Sequence, residues 1–104
     1  MQSNGGLTNA SLFSGKDSIL SGPAGGVIGG IKTSALDKEH NIIGFDMGGP
    51  STDVWHYSGE LERTVNNKID GIRISIPMLN INTIAAGGGS ILSEKSGRLI
   101  VGPE

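Results

Sequence analysis

The sequence predicts one helix followed by strands, which is an α+β domain or a β-rich piece of an α/β domain. Three observations carry this. Apolar residues at helical spacing, Val27, Ile28, Ile31 and Ala35, occur early in the chain. Beyond residue 41 the pattern changes to short apolar or alternating runs bounded by glycines and polar turns. Glycine is abundant, 18 of 104 residues, and comes as pairs and a triplet in apolar context. That arrangement favours tight turns and close backbone approaches over a flexible linker.

Taken in order, residues 1–20 are a polar, Gly-rich lead-in, with Ser18-Ile19-Leu20 expected to be extended. Ser21-Gly22-Pro23 reads as a helix start, because proline in the first turn gives up an N–H that has no partner there. The Gly-rich loop and helix occupy 21–36, and Gly25, Gly26, Gly29 and Gly30 suit close packing against a strand or a ligand. Lys38 to Asn41 is a polar connection. Ile42 to Met47 is apolar on both faces, so it is expected to be a central strand. Thr52 to Tyr57 and Leu61 to Val65 follow as strands around a turn at Ser58-Gly59. Ile72, Ile74 and Ile76 alternate with Arg73 and Ser75 until Pro77 interrupts them. Leu79 to Ala85 is extended and runs into Gly87-Gly88-Gly89. Ser96-Gly97 is a turn between two last apolar runs.

Composition excludes several functions. A net charge of -2 gives no basic field for nucleic acid or an anionic membrane. Aromatic residues are 4%, too few for base-stacking platforms. No apolar run approaches the ~20 residues of a membrane span. The absence of cysteine excludes disulfides and thiol chemistry and is compatible with a cytoplasmic location.

Three glycine motifs are candidates for chemistry. In Asp46-Met47-Gly48-Gly49-Pro50-Ser51-Thr52-Asp53 a strand runs into a glycine turn with a carboxylate on each side. The N–H groups of Gly48 and Gly49 can converge on phosphate, and Ser51 and Thr52 add hydroxyls. Asp46 can hold a hydrated Mg²⁺ and Asp53 can orient a water or a substrate hydroxyl. A plain β-hairpin with polar turn residues explains the same spacing. Ser21-Gly22-Pro23-Ala24-Gly25-Gly26 enters a helix and either seats an anion at its positive end or packs closely on the sheet. It lacks the P-loop and dinucleotide fingerprints. Gly87, Gly88 and Gly89 form either an anion nest or a bend where another backbone passes. His56 falls on the strand face opposite Asp53, as a structural or solvated residue. Trp55 shares the Asp53 face.

These pieces, with Met1-Gln2-Ser3-Asn4-Gly5-Gly6 before them and Val101-Gly102-Pro103-Glu104 after, resemble the hydantoinase/oxoprolinase family over the whole chain. The resemblance implies part of an actin/sugar-kinase-like (ribonuclease-H-like) ATPase domain, with the helix followed by a strand-rich mixed sheet over 41–104. It implies ATP and Mg²⁺ as cofactors and a small cyclic amide, 5-oxoproline or a hydantoin, as substrate. The amide oxygen is phosphorylated and water then opens the ring. Asp46 and Asp53 would be catalytic, with Asp46 the metal ligand. Gly48, Gly49, Ser51, Thr52, Gly25, Gly26, Gly87, Gly88 and Gly89 would form the cofactor site. Implied partners are the rest of a larger subunit and a second, B-type subunit.

Two departures qualify the implication. The family turn carries Thr where this chain has Pro50, which removes a hydroxyl and an N–H. The chain matches one segment of much longer members, so alone it is expected to be inactive and to associate through uncovered edges. The rivals are a non-catalytic remnant or assembly segment and a sugar-kinase-like phosphotransferase.

Overall fold

The computed structural model describes residues 1–38, 40–69 and 71–102, with backbone only at Asn66 and Asn67. Glu39 of the expected polar connection and Pro103-Glu104 of the last family motif lie outside the described residues. Two 3₁₀ turns, Ala10–Leu12 and Gly15–Ser18, lead to helix α1 (Ser21–Ser34), which ends in a third, Ala35–Asp37. Seven strands follow: β1 (Asn41–Met47), β2 (Thr52–Ser58), β3 (Arg63–Ile69), β4 (Ile72–Leu79), β5 (Asn82–Ile84), β6 (Ile91–Lys95) and β7 (Arg98–Gly102). They make a three-stranded sheet in the order β1-β2-β5 and two hairpins, β3-β4 and β6-β7. Every pairing among the described residues is antiparallel, so the chain combines one helix with antiparallel sheets and not with the mixed sheet expected.

The helix begins where Pro23 predicts, with Pro23 in its first turn. Gly26 and Gly30 leave flat surface for the sheet. A Cβ on Gly30 would lie 2.8 Å from Trp55 Cζ2, and one on Gly44 would lie 1.8 Å from Trp55 Cε2. The indole thus fills the space that glycine leaves on both α1 and β1. Ala24, Val27, Trp55 and Leu79 are buried together, with Ile31, Ile42, Tyr57, Leu61 and Ile81 packed around them.

Several expectations are corrected. Ser18-Ile19-Leu20 is not extended: Ser18 closes a 3₁₀ turn and Ile19 has helical backbone. There Asp17 and Leu20 are held by the buried Ser3, whose hydroxyl donates to the Asp17 carbonyl at 2.8 Å and accepts from the Leu20 N–H at 3.0 Å. The lead-in is therefore tied into the fold, since the Leu79 N–H also donates to the Ser3 carbonyl. β1 is an edge strand, and the centre belongs to β2. Leu61 makes only an isolated bridge to Tyr57, and β3 starts at Arg63 and turns away to pair with β4. Pro77 does not end β4. The β3-β4 register slips between Thr64 and Asn66, so Pro77 sits at a bulge, where a missing N–H costs least. The Ser96-Gly97 turn has φ of 54° and 78°, the two positive angles of a two-residue hairpin loop.

Candidate functional site: an acidic pair at a glycine turn

β1 and β2 form a hairpin whose register pairs Asp46 with Asp53 and Met47 with Thr52. Paired residues project from the same face, so the two carboxylates stand side by side next to the turn. It is the face on which α1 packs: a Cβ on Gly26 would lie 3.5 Å from Asp46 Oδ2. Like charges directly opposed across strands repel. Asp53 has one oxygen fixed, because the Thr83 hydroxyl of β5 donates to Oδ1 at 2.6 Å. The Asp46 side chain has no hydrogen-bond or ion-pair partner among the described residues.

The turn itself is braced by backbone. The Gly48 N–H donates to the Ser51 carbonyl at 2.9 Å. The outward carbonyls of Gly48 and Gly49 accept from the N–H groups of Gly88 at 2.8 Å and Gly89 at 2.9 Å. The Gly87 N–H donates to Ser90 Oγ at 2.9 Å, and the buried Thr52 hydroxyl donates to the Ala86 carbonyl at 2.7 Å. A Cβ on Gly87 would fall 2.4 Å from the Gly48 carbonyl oxygen, so a side chain there is excluded by main chain. Of the two possibilities open for Gly87–Gly89, the geometry has the crossing of two backbones, with all three N–H groups engaged. Gly25 and Gly26 lie one turn inside α1, where Gly26 is close to Asp46 and Gly25 faces Met1, a Cβ on it lying 3.8 Å from the Met1 sulfur.

Two turn donors stay unspent. The N–H groups of Gly49 and Ser51 donate to no described residue. Pro50 stands between them and has none. Beside them is a pocket of about 220 Å³ lined by Gly49, Pro50, Gly89 and Ser90. A larger one of about 300 Å³ opens at the far end of β2, near Tyr57 and Gly59, away from the acidic pair.

The donor set suits a hard cation. No group of three or more His, Cys, Asp or Glu side chains gathers among the described residues. Mg²⁺ needs only one or two carboxylates when phosphate oxygens and waters complete its shell, and Asp46 is free to serve.

The sequence placed Asp46, Gly48, Gly49, Ser51, Thr52 and Asp53 on one turn, and the fold brings them together. It adds Gly26, and it stacks Gly87–Gly89 on the turn from a segment 34 or more residues away. Thr83 was missed, its only signal being a hydroxyl within the extended run from Leu79 to Ala85. His56 lies on the opposite face, exposed, with Nδ1 3.2 Å from Glu62 Oε1. Asn80 Nδ2 donates to the other Glu62 oxygen at 3.2 Å. The Asn80 hydrogen bond first, and that of His56 second, hold the Glu62 carboxyl below its usual value.

A glycine turn closing a two-carboxylate hairpin, with a helix laid on the acidic face, defines an α/β segment built around an acidic turn with free main-chain donors. Comparison with known proteins makes it specific. The hydantoinase/oxoprolinase family model matches residues 1–104, and the chain belongs to that family. It is 56% identical over 107 residues to a 5-oxoprolinase of Saccharomyces cerevisiae and 52% over 105 residues to 5-oxoprolinase 1 of Arabidopsis thaliana. Each alignment takes in 100% of this chain, which spans about 8% of the length of either relative. A nucleotide-free structure of acetone carboxylase, described as an ATP-dependent system, superposes with a TM-score of 0.85 at 28% identity. That match covers 100% of this chain and 15% of the other.

Proposed function

We propose that this chain is the phosphate-turn segment of a cytoplasmic ATP-dependent amidohydrolase that opens a cyclic amide of the 5-oxoproline or hydantoin type. The observation that carries the reading is the opposed pair Asp46 and Asp53 beside a turn with unspent N–H donors at Gly49 and Ser51. In an actin/sugar-kinase-like frame, the Gly49 and Ser51 N–H groups and the Ser51 hydroxyl would hold phosphate oxygens. Asp46 would hold Mg²⁺, which supplies charge neutralisation to the transferring phosphoryl group. Asp53, tethered at Oδ1 by Thr83, keeps Oδ2 for a water or a substrate oxygen. Thr52, Gly25, Gly26 and Gly87–Gly89 set the turn's position.

The chemical logic is that an unstrained lactam is a poor electrophile. Transfer of phosphoryl from ATP to its oxygen would make the ring carbon more electrophilic; water would add there, the C–N bond would break with the protonated ring nitrogen leaving, and hydrolysis of the resulting acyl phosphate would release phosphate. The remainder of a larger subunit and a B-type subunit would supply the facing lobe and the rest of the substrate site.

Pro50 favours a second reading, a segment that keeps the fold without the chemistry, because it deletes the donor between Gly49 and Ser51. Calorimetry with MgATP separates the two. Pro50→Thr restores one charge-assisted hydrogen bond and is expected to tighten binding at least about tenfold. Asp46→Asn in that background should abolish the Mg²⁺ requirement. Binding by neither the chain nor Pro50→Thr would reject a nucleotide site in this chain and leave the second reading. Phosphate release stimulated by 5-oxoproline, against hydantoin, tests the substrate in the longer protein.

A further inference from the structure

We propose, on the reading of the turn as a phosphate site, that Ser90 is a further ligand-contacting residue. Its hydroxyl donates to a phosphate oxygen from the wall opposite the turn, in place of the donor that Pro50 deletes. The pocket of about 220 Å³ beside the turn is lined by Gly49, Pro50, Gly89 and Ser90. Two of these four have no donor to offer. Pro50 lacks an N–H, and Gly89 spends its own on the Gly49 carbonyl at 2.9 Å. What remains for a ligand is the Gly49 N–H and the Ser90 hydroxyl.

The backbone around Ser90 holds that hydroxyl in place. The Ser90 N–H donates to the Gly87 carbonyl at 3.0 Å, and Ser90 Oγ accepts from the Gly87 N–H at 2.9 Å. A hydroxyl that accepts one bond keeps its own proton to donate. No described residue accepts that proton. Because the Gly87 bond already fixes the oxygen, little side-chain freedom is left to lose on binding. The loop is also secured without this side chain. The Thr52 hydroxyl holds the Ala86 carbonyl, and the Gly88 and Gly89 N–H groups hold the turn.

The glycine triplet then has a different part from a backbone anion nest. All three of its N–H groups are engaged within the chain, so none is left for an anion. The group this segment can bring to phosphate is the side chain that follows the triplet. The bonds from Gly88 and Gly89 to the Gly48 and Gly49 carbonyls pin the two walls together. They set the Ser90 hydroxyl at a fixed place relative to the turn, a donor preorganised for the charge it meets. None of the four lining residues is ionisable, so phosphate meets no like charge on these walls.

Calorimetry with MgATP on the chain, Ser90→Ala, Pro50→Thr and the double variant tests this. Ser90→Ala removes a hydrogen bond to a charged group and is expected to weaken binding about tenfold. In the Pro50→Thr background the loss should shrink below about threefold, because the threonine donors serve the same pocket and the two sites couple. Magnesium tripolyphosphate, which has no nucleoside, should show the same pattern. An equal loss in both backgrounds would mean that Ser90 acts through the fold of its loop, and would overturn the proposal. So would no loss at all, or a loss with MgATP that tripolyphosphate does not share. Binding by Pro50→Thr and not by the unaltered chain would show that Ser90 does not replace the missing donor, while the phosphate turn stands. Binding by neither would reject the phosphate turn and the role of Ser90 with it.

Discussion

Gly44 shows how a single absent side chain organises this fold. It faces Trp55 across the β1-β2 pairing, and the indole occupies the place of its Cβ. Gly44→Ala is therefore expected to force Trp55 out of the core and cost about 3 kcal/mol or more, read by urea unfolding. Trp55 is the chain's single tryptophan, so its fluorescence reports the same displacement. Glu62 makes a different point, since its two oxygens are engaged by Asn80 and His56 on the exposed side of the sheet. Its lowered pKa means that the folded state holds the charged form more firmly than the unfolded state does. The contribution is present above the ordinary glutamate pKa and is lost as pH falls through the lowered one. A carboxyl titration by NMR should place the Glu62 midpoint below the ordinary glutamate range, and Asn80→Ala should raise it. The carboxylates at the turn were legible as residues, because glycine pairs flanked by acids are a local signal. Thr83, which tethers Asp53, was not, because a threonine in an extended run carries no mark of the strand it will meet.

At the scale of elements, the helix and most strands were readable because periodicity and turn chemistry are local. Pro23 marked the start of α1, and Ser96-Gly97 marked the β6-β7 turn through its two positive φ angles. Errors came where a long-range partner decided the outcome. β1 reads as central because both its faces are apolar, yet among the described residues none pairs with its outer edge. Ser18-Ile19-Leu20 reads as extended, yet Ser3 bends it by holding Asp17 and Leu20 at once. Pro77 reads as a strand end, yet a register slip against β3 gives it a place inside β4. The glycine triplet was legible as a special backbone and left undecided between anion and backbone. The carbonyls of Gly48 and Gly49 answer that in the geometry.

The whole molecule is unevenly built. Its radius of gyration is 16.1 Å, where a compact domain of this length has about 13 Å. The buried cluster joins α1, β2 and the end of β4, while every side chain from Ile91 to Val101 is exposed. Amide exchange should therefore be slow in β1-β2 and fast in β6-β7, since a two-stranded hairpin without a covering layer is marginal in water. Equal protection across the two hairpins would contradict this picture. The sequence by itself determined the family, the single helix, the strand runs and the carboxylates on the glycine turn. Each of these is written in local spacing and in the residues a turn demands. Tertiary structure alone decided that Asp53 is tethered while Asp46 is left free, that the glycine triplet braces the turn, and that β1 is an open edge. These depend on which distant backbone and side-chain groups meet, and local sequence does not encode the partner of an unpaired hydrogen-bonding group.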